Sequence, residues 1–255
     1  MTLLQTQNLS AFYGDFQALF DINVSVEEGE TVAIIGANGA GKTTFLRAVA
    51  GALETATDMV LFEGQPIGHH SAHDIVRLGI AMAPEGRRLF PSLSVEENLQ
   101  LGGYSKRPGP WNLKRVYELF PRLHELRRLP ATDLSGGQQQ MTTVGRALMS
   151  NPRLLLCDEL SLGLAPVVIR DIYDCLGKIT AEGTTVVLVE QDINRALDAS
   201  ARFYCFQEGR LALTAPTKGF DRAAISAAYF GNKSMIGKVH TGFFEKTLLK
   251  QKLER

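Results

Sequence analysis

Apolar and polar positions along the chain follow two different rhythms, and the change from one to the other divides it. Residues 3–26 alternate weakly with a period of two and carry Gly14 near their middle, which predicts two antiparallel strands joined by a turn. Thr31-Val32-Ala33-Ile34-Ile35 is an apolar run of the kind a buried strand shows. It passes through a glycine-rich stretch into Thr44-Phe45-Leu46-Arg47-Ala48-Val49-Ala50, a helix start. A short strand is expected near 59–62, a helix over 72–78, and a buried strand over 79–83 that Pro84 ends.

From Glu85 the rhythm becomes helical. After the loop Gly86–Leu93, Ser94 is placed as an N-cap with Glu97 at the capping-box position. Helical periodicity then runs through 111–120 and 121–129, and no strand pattern returns until Leu154. This predicts a helical insertion over about residues 87–150 between strands of an α/β core. Leu134-Ser135-Gly136-Gly137-Gln138 closes the insertion and opens a helix with Met141, Val144 and Leu148 on one face. Arg153–Glu159 reads as a buried strand ending in two carboxylates. A helix over Pro166–Thr180 follows, then a strand over Thr184–Val189 ending at Glu190-Gln191-Asp192, then a helix, two short strands and a helix as far as Gly231. The division expected is a first part of the core over 1–86, the insertion over 87–150, a second part of the core over 151–231 and a basic tail over 232–255. That tail holds six Lys or Arg against two acids. Phe244, Leu248, Leu249 and Leu253 share one face if it is helical, which suits a lipid or partner surface; a solvated terminus is the favoured reading.

The chemistry enters through Gly36-Ala37-Asn38-Gly39-Ala40-Gly41-Lys42-Thr43. A strand, a glycine turn and a helix start, in that order, make a phosphate-binding loop. Glycines let backbone N–H groups point inward as a concavity of donors, and the helix N-terminus adds the positive end of its dipole. Lys42 is placed to reach the β- and γ-phosphates, and the Thr43 hydroxyl to ligate Mg²⁺, so the chain is expected to bind a nucleoside triphosphate. Asp158 and Glu159 stand at a strand's C-terminal end, the mouth of a parallel sheet. There Asp158 suits Mg²⁺ and Glu159 suits orienting or deprotonating an attacking water. Two readings of Tyr13 stand level: a platform for a purine base, or a surface tyrosine on a hairpin. Ser135, Gly136, Gly137 and Gln138 open a second helix suited to an anion. With the nucleotide already at Lys42, that helix points to a ligand brought by another subunit.

Composition narrows the class. Lys plus Arg and Asp plus Glu both number 27, and the hydrophobic share is 45%, so nothing favours a nucleic-acid partner. With neither a signal peptide nor an apolar run near the roughly 18 residues a membrane span needs, a cytosolic protein is expected, with any membrane role supplied by a partner. Cys157, Cys175 and Cys205 lack zinc or disulfide spacing; Cys157 and Cys205 lie in apolar runs and read as buried small hydrophobes. His69, His70 and His73 lie in a polar stretch without acidic or cysteine companions and read as solvated loop and helix start.

The phosphate loop, Leu-Ser-Gly-Gly-Gln and the apolar strand ending Asp158-Glu159, in this order and spacing, resemble the ATP-binding-cassette ATPases over roughly residues 3–231. Pro84-Glu85-Gly86-Arg87-Arg88-Leu89-Phe90-Pro91, Ser161–Pro166 and Val189-Glu190-Gln191 look like an ATPase subunit of branched-chain amino-acid importers. The resemblance implies an α/β P-loop core of mixed sheet, with an antiparallel β subdomain and an inserted α-helical subdomain. It implies a head-to-tail dimer with a sister subunit or second copy, sandwiching two ATP molecules with Mg²⁺. Each nucleotide would meet Tyr13, Gly36 to Thr44 and Glu85 of one chain and Ser135 to Gln138 of the other. Catalysis would fall to Glu159, Lys42 and Gln191, and metal binding to Thr43, Asp158 and Glu85. Two permease subunits, with a solute-binding protein outside, would place the chain on the cytoplasmic face of the plasma membrane. Departures accompany this. The superfamily usually has Gln at Glu85, His at Gln191, Asp at Ala165 and Pro at Leu160; the first three are habits of the importer subgroup. Gln191 opens the alternative of a regulatory, weakly hydrolysing cassette beside a competent sister, and Leu160 is expected to loosen the turn after Glu159.

Overall fold

In the computed structural model, residues 1–219 and Ile225 are described. The chain begins with β1 (Thr2–Thr6), β2 (Leu9–Tyr13), β3 (Phe16–Ile22), β4 (Ser25–Glu27) and β5 (Thr31–Ile35), then α1 (Lys42–Val49), β6 (Val60–Phe62), β7 (Gln65–Pro66), α2 (Ala72–Leu78) and β8 (Ile80–Ala83). Four α-helices follow: α3 (Val95–Gly102), α4 (Leu113–Leu119), α5 (Pro121–Glu125) and α6 (Gly136–Leu148). The chain then returns through β9 (Leu154–Asp158), α7 (Pro166–Ala181), β10 (Thr185–Glu190), α8 (Ile193–Asp198), β11 (Arg202–Gln207) and β12 (Arg210–Pro216). The helix expected before Gly231 and the basic tail lie outside the described residues.

Six strands form the central sheet in the order β12-β11-β5-β10-β9-β8, all parallel to their neighbours except β12. The apolar runs are continuous because both faces of this sheet are covered. Along β9, Leu154 and Leu156 face one core with Phe45 and Leu46 of α1. Leu155 and Cys157 face the other, with Leu148 of α6 and Ile172 of α7. All three cysteines are buried, and burial pushes the Cys205 thiol up to about 12. In register, Asp158 lies beside Val189 and Glu190 beside Ile35. The strand ends that precede the phosphate loop, the carboxylate pair and Gln191 therefore share one edge of the sheet.

Two sequence expectations are corrected. Residues 2–27 form four strands rather than two, divided between a two-stranded sheet and a second antiparallel sheet ordered β4-β1-β6-β7. Polar side chains make the break. Asn23 Oδ1 accepts from the Asn8 amide at 2.9 Å, and Thr6 Oγ1 donates to the Ile22 carbonyl at 2.9 Å while accepting from the Val24 amide at 2.9 Å. These bonds replace ladder bonds where Asn8 and Asp21 take φ of 48° and 52°. The helix expected over 121–129 ends at Glu125 because the next residues cap α3 instead. The Arg127 and Leu129 carbonyls each accept, at 3.0 Å, from the Glu96 and Val95 amides. The Ser94–Glu97 capping box forms as expected.

Candidate functional site

At the shared edge the turn from β5 to α1 bends around Lys42. Gly41 caps α1 at φ 101°, without a side chain bonding the first-turn amides and with no acidic residue in that turn. The helix therefore presents free donors and an uncompensated positive end. Lys42 is 4% exposed; its Nζ donates to the carbonyls of Gly36 at 2.8 Å and Ala37 at 3.2 Å and lies 3.7 Å from Glu159 Oε1. Glycine is required at 36 because a Cβ there would lie 2.4 Å from the Phe206 carbonyl oxygen. Gly209, φ 72°, holds the β11–β12 turn against the loop: its amide donates to the Ala40 carbonyl at 3.0 Å.

The carboxylates stand opposite. Asp158 is 1% exposed; Oδ1 accepts from the Thr43 hydroxyl at 3.2 Å, and buried Oδ2 has no hydrogen-bond partner. Burial, followed by the charges of Glu159 and Glu85, pushes its carboxyl up to about 6 against the pull of Thr43 and Lys42. A buried carboxylate oxygen with a free lone pair, next to a hydroxyl and among further acids, fits a hard divalent cation, and Mg²⁺ takes such oxygen ligands. Glu159 stands in the left-handed region at φ 49°, and its Oε2 accepts from Gln191 Nε2 at 2.6 Å. Leu160 does not leave the turn loose. Its side chain is 0% exposed within the core that α6 and α7 share with the sheet, so burial fastens the turn.

A cavity of about 690 Å³ is lined by Asn38, Gly39, Gly41, Lys42, Thr43, Thr44, Glu85, Glu159 and Gln191, while buried Asp158 is not in its lining. Its volume is that of a nucleotide-sized site. Gly36, Ala37 and Ala40 are not in the lining; the first two supply the carbonyls that hold Lys42, and Ala40 is buried. Tyr13 lines the cavity and is 42% exposed, with its hydroxyl accepting from Arg47 at 3.3 Å. Sequence reasoning missed Phe16, 70% exposed on the same wall, together with Gln17, Phe20, Leu162 and the Glu208-Gly209 turn. An aromatic two residues after Gly14 was the available signal for Phe16; Glu208-Gly209 reads only as a hairpin turn.

Ser135, Gly136, Gly137 and Gln138 are not among the cavity's lining residues. Ser135 is exposed and forms a capping box with Gln138, while Gly137 packs so closely on α7 that a Cβ would lie 2.4 Å from Val168. The start of α6 thus lies outside the cavity that the phosphate loop lines, with Ser135 exposed.

Comparison with known proteins agrees with this geometry. The family model for the ABC transporter matches residues 19–161. The high-affinity branched-chain amino acid transport ATP-binding protein BraG of Pseudomonas aeruginosa is 45% identical over 213 residues, spanning 83% of this chain and 91% of that one. The probable branched-chain amino acid transport ATP-binding protein LivF of Archaeoglobus fulgidus is 32% identical, spanning 82% and 90%. The ADP conformation of an ATP-binding cassette of an ABC transporter superposes with a TM-score of 0.75 at 26% identity over 95% of this chain and 99% of that one. The dimeric structure of a bacterial ABC transporter cassette does so at 0.75 and 27%, over 86% and 100%. With its phosphate loop and carboxylates so arranged, the chain belongs to the ABC transporter family, as one of its ATP-binding, ATP-hydrolysing cassettes.

Proposed function

We propose that this cassette powers an importer of branched-chain amino acids or related small solutes, and that its own site hydrolyses ATP. The observation that carries the reading is the meeting of Lys42 and Gln191 at Glu159, next in the chain to Asp158, whose Oδ1 accepts from Thr43 and whose Oδ2 lacks a partner. In this reading the ammonium of Lys42 exchanges the carbonyls of Gly36 and Ala37 for phosphate oxygens. Tyr13, with Phe16 beside it, takes the base, while the amides from Asn38 to Thr44 take the phosphates. Thr43 Oγ1 and the Asp158 carboxylate hold Mg²⁺, with Glu85 near enough to add charge. Held by Thr43 and Asp158, such an ion would supply positive charge beside the phosphate oxygens. Glu159 orients the attacking water and accepts its proton while the water oxygen bonds to the γ-phosphorus and ADP leaves. Gln191 fixes the carboxylate that does this.

The reading extends to partners, which the similarity to transporter ATP-binding proteins and to dimeric cassettes supports. A second cassette, a sister subunit or another copy, lies head to tail across the nucleotide and presents Ser135 to Gln138, which residues 87–150 carry. Two permease subunits anchor the pair at the cytoplasmic face of the plasma membrane, and a solute-binding protein delivers cargo outside. Among the described residues no helix is long and apolar enough to cross a membrane. The Glu159→Gln variant should lose at least a hundredfold in turnover while retaining Mg-ATP binding, and unchanged hydrolysis would remove Glu159 from its role.

Gln191 favours one second reading. Its amide donates to Glu159 without positive charge, and a neutral hydrogen bond is worth about half a charge-assisted one. A deficit of roughly 1.4 kcal/mol corresponds to about tenfold in rate, which would make this a regulatory partner to a faster sister. Changing Lys42 in this subunit alone, within the mixed dimer, decides between them: arrested transport leaves the regulatory reading without support.

A further inference from the structure

We propose that Glu190 is a positioning residue for Glu159, holding the turn that aims the catalytic carboxylate; this rests on the hydrolytic reading given above. Three consecutive residues at the end of β10 grip the turn after β9. The Val189 carbonyl accepts from the Glu159 amide at 3.0 Å. Glu190 Oε1 accepts from the Ser161 amide at 3.2 Å and Oε2 from the Ser161 hydroxyl at 2.9 Å. The Gln191 amide then fixes the Glu159 carboxylate itself at 2.6 Å. Between the two gripped residues Leu160 is fully buried, so the turn is held on both sides and from beneath.

The geometry needs such a grip. Glu159 is a non-glycine residue at φ 49°, a conformation that persists only where its surroundings determine it. Beyond Ser161, where Leu162 is 52% exposed and Gly163 stands at φ 70°, the backbone bonds stay inside the turn. The Leu162 amide donates to the Glu159 carbonyl at 3.3 Å and the Leu164 amide to the Ser161 carbonyl at 3.2 Å, and Leu164 packs on the core. The bonds that tie Glu159 and Ser161 to the neighbouring strand are those from β10. Glu190 is itself anchored from α7, whose Tyr173 hydroxyl donates to Oε1 at 2.5 Å. A general buried-carboxylate role explains less. Glu190 is 1% exposed and makes no ion pair with any described residue, and burial drives its carboxyl up while Tyr173 and Ser161 pull it back. Such a group weakens a fold unless its hydrogen bonds serve something else. All of those between side chains run to the turn or to the helix that follows it.

Steady-state hydrolysis of Mg-ATP by the full chain tests this. Glu190→Ala should lower kcat about tenfold or more and leave KM within twofold, because Lys42 and the phosphate loop are untouched. Glu190→Gln should keep at least half of kcat: its amide oxygen can accept from Ser161 and Tyr173, and its NH₂ can donate to the Ser161 hydroxyl. Ser161→Ala, at a half-buried position that tolerates the change, should lower kcat several-fold with KM unchanged. A normal kcat in Glu190→Ala overturns the proposal, as does a fall in Glu190→Gln equal to that in Glu190→Ala, which would make the effect one of charge. Should Glu190→Ala fail to fold, a normal kcat in Ser161→Ala overturns it alone. Glu159→Gln measured alongside separates the two claims. If it is inactive while Glu190→Ala is fully active, only the positioning role falls; if it hydrolyses normally, the catalytic reading falls first.

Discussion

At Gly36 a single hydrogen atom decides whether the phosphate loop can sit where it does. The Phe206 carbonyl of β11 approaches to the place a Cβ would occupy, 2.4 Å away, and rigid backbone cannot yield as a flexible side chain can. Gly36→Ala should therefore destabilise the chain by about 1–3 kcal/mol and weaken nucleotide binding at least tenfold, because loop and sheet must separate. Urea denaturation and titration with a fluorescent ATP analogue check both effects. Unchanged affinity would show that the loop's donors do not depend on this contact. At this scale the sequence was most informative where chemistry requires a residue type. Lys42, Thr43, Asp158 and Glu159 could be singled out because phosphate and metal-ion chemistry favours those residue types in that spacing, and the fold brings them to one end of the sheet. Phe16 and Gly209 could not, because only the three-dimensional approach of the β2–β3 and β11–β12 turns brings them to the loop.

The elements were legible in proportion to how strongly burial dictated them. β5, β9 and β10 lie covered on both faces, and their apolar runs locate them to within a residue or so. The N-terminal strands were not, since Thr6, Asn8 and Asn23 divide them by side-chain bonds that periodicity does not register. The turn after β9 gives a third case. Leu160 looked like a loosening departure because the sequence has no way to show that the residue points into the core between α6 and α7. Its burial sets the expected result. Leu160→Ala should cost about 2–5 kcal/mol, the range for a buried leucine that leaves a cavity, and should lower kcat as the turn relaxes. Calorimetry and turnover measure the two together. A loss of less than about 1 kcal/mol would mean that the hydrogen bonds from β10 hold the turn without Leu160.

For the whole molecule, the decisive fact is that one chain contains two glycine-rich helix starts, only one of which lines the cavity. The phosphate loop lines it with Lys42, whereas the capped start of α6 lies outside it, with Ser135 exposed and no acidic residue in the first turn. Ser135 to Gln138 do not line the cavity beside Lys42, and the head-to-tail pairing proposed above would use both sites. In that pair, the positive helix start of one subunit would meet the γ-phosphate held by the other, and loss of that phosphate would remove the attraction, so the pairing would depend on ATP. In the Glu159→Gln background, where hydrolysis is slow, Mg-ATP should double the mass seen by light scattering, with the chain alone or with its sister subunit added, and Mg-ADP should not. Ser135→Arg should abolish the doubling through bulk at the interface while leaving nucleotide affinity of the single subunit within about threefold, since the cavity is elsewhere. Doubling that survives Ser135→Arg, or that occurs equally with Mg-ADP, would place the interface on another face and leave the start of α6 without a role in closing the pair.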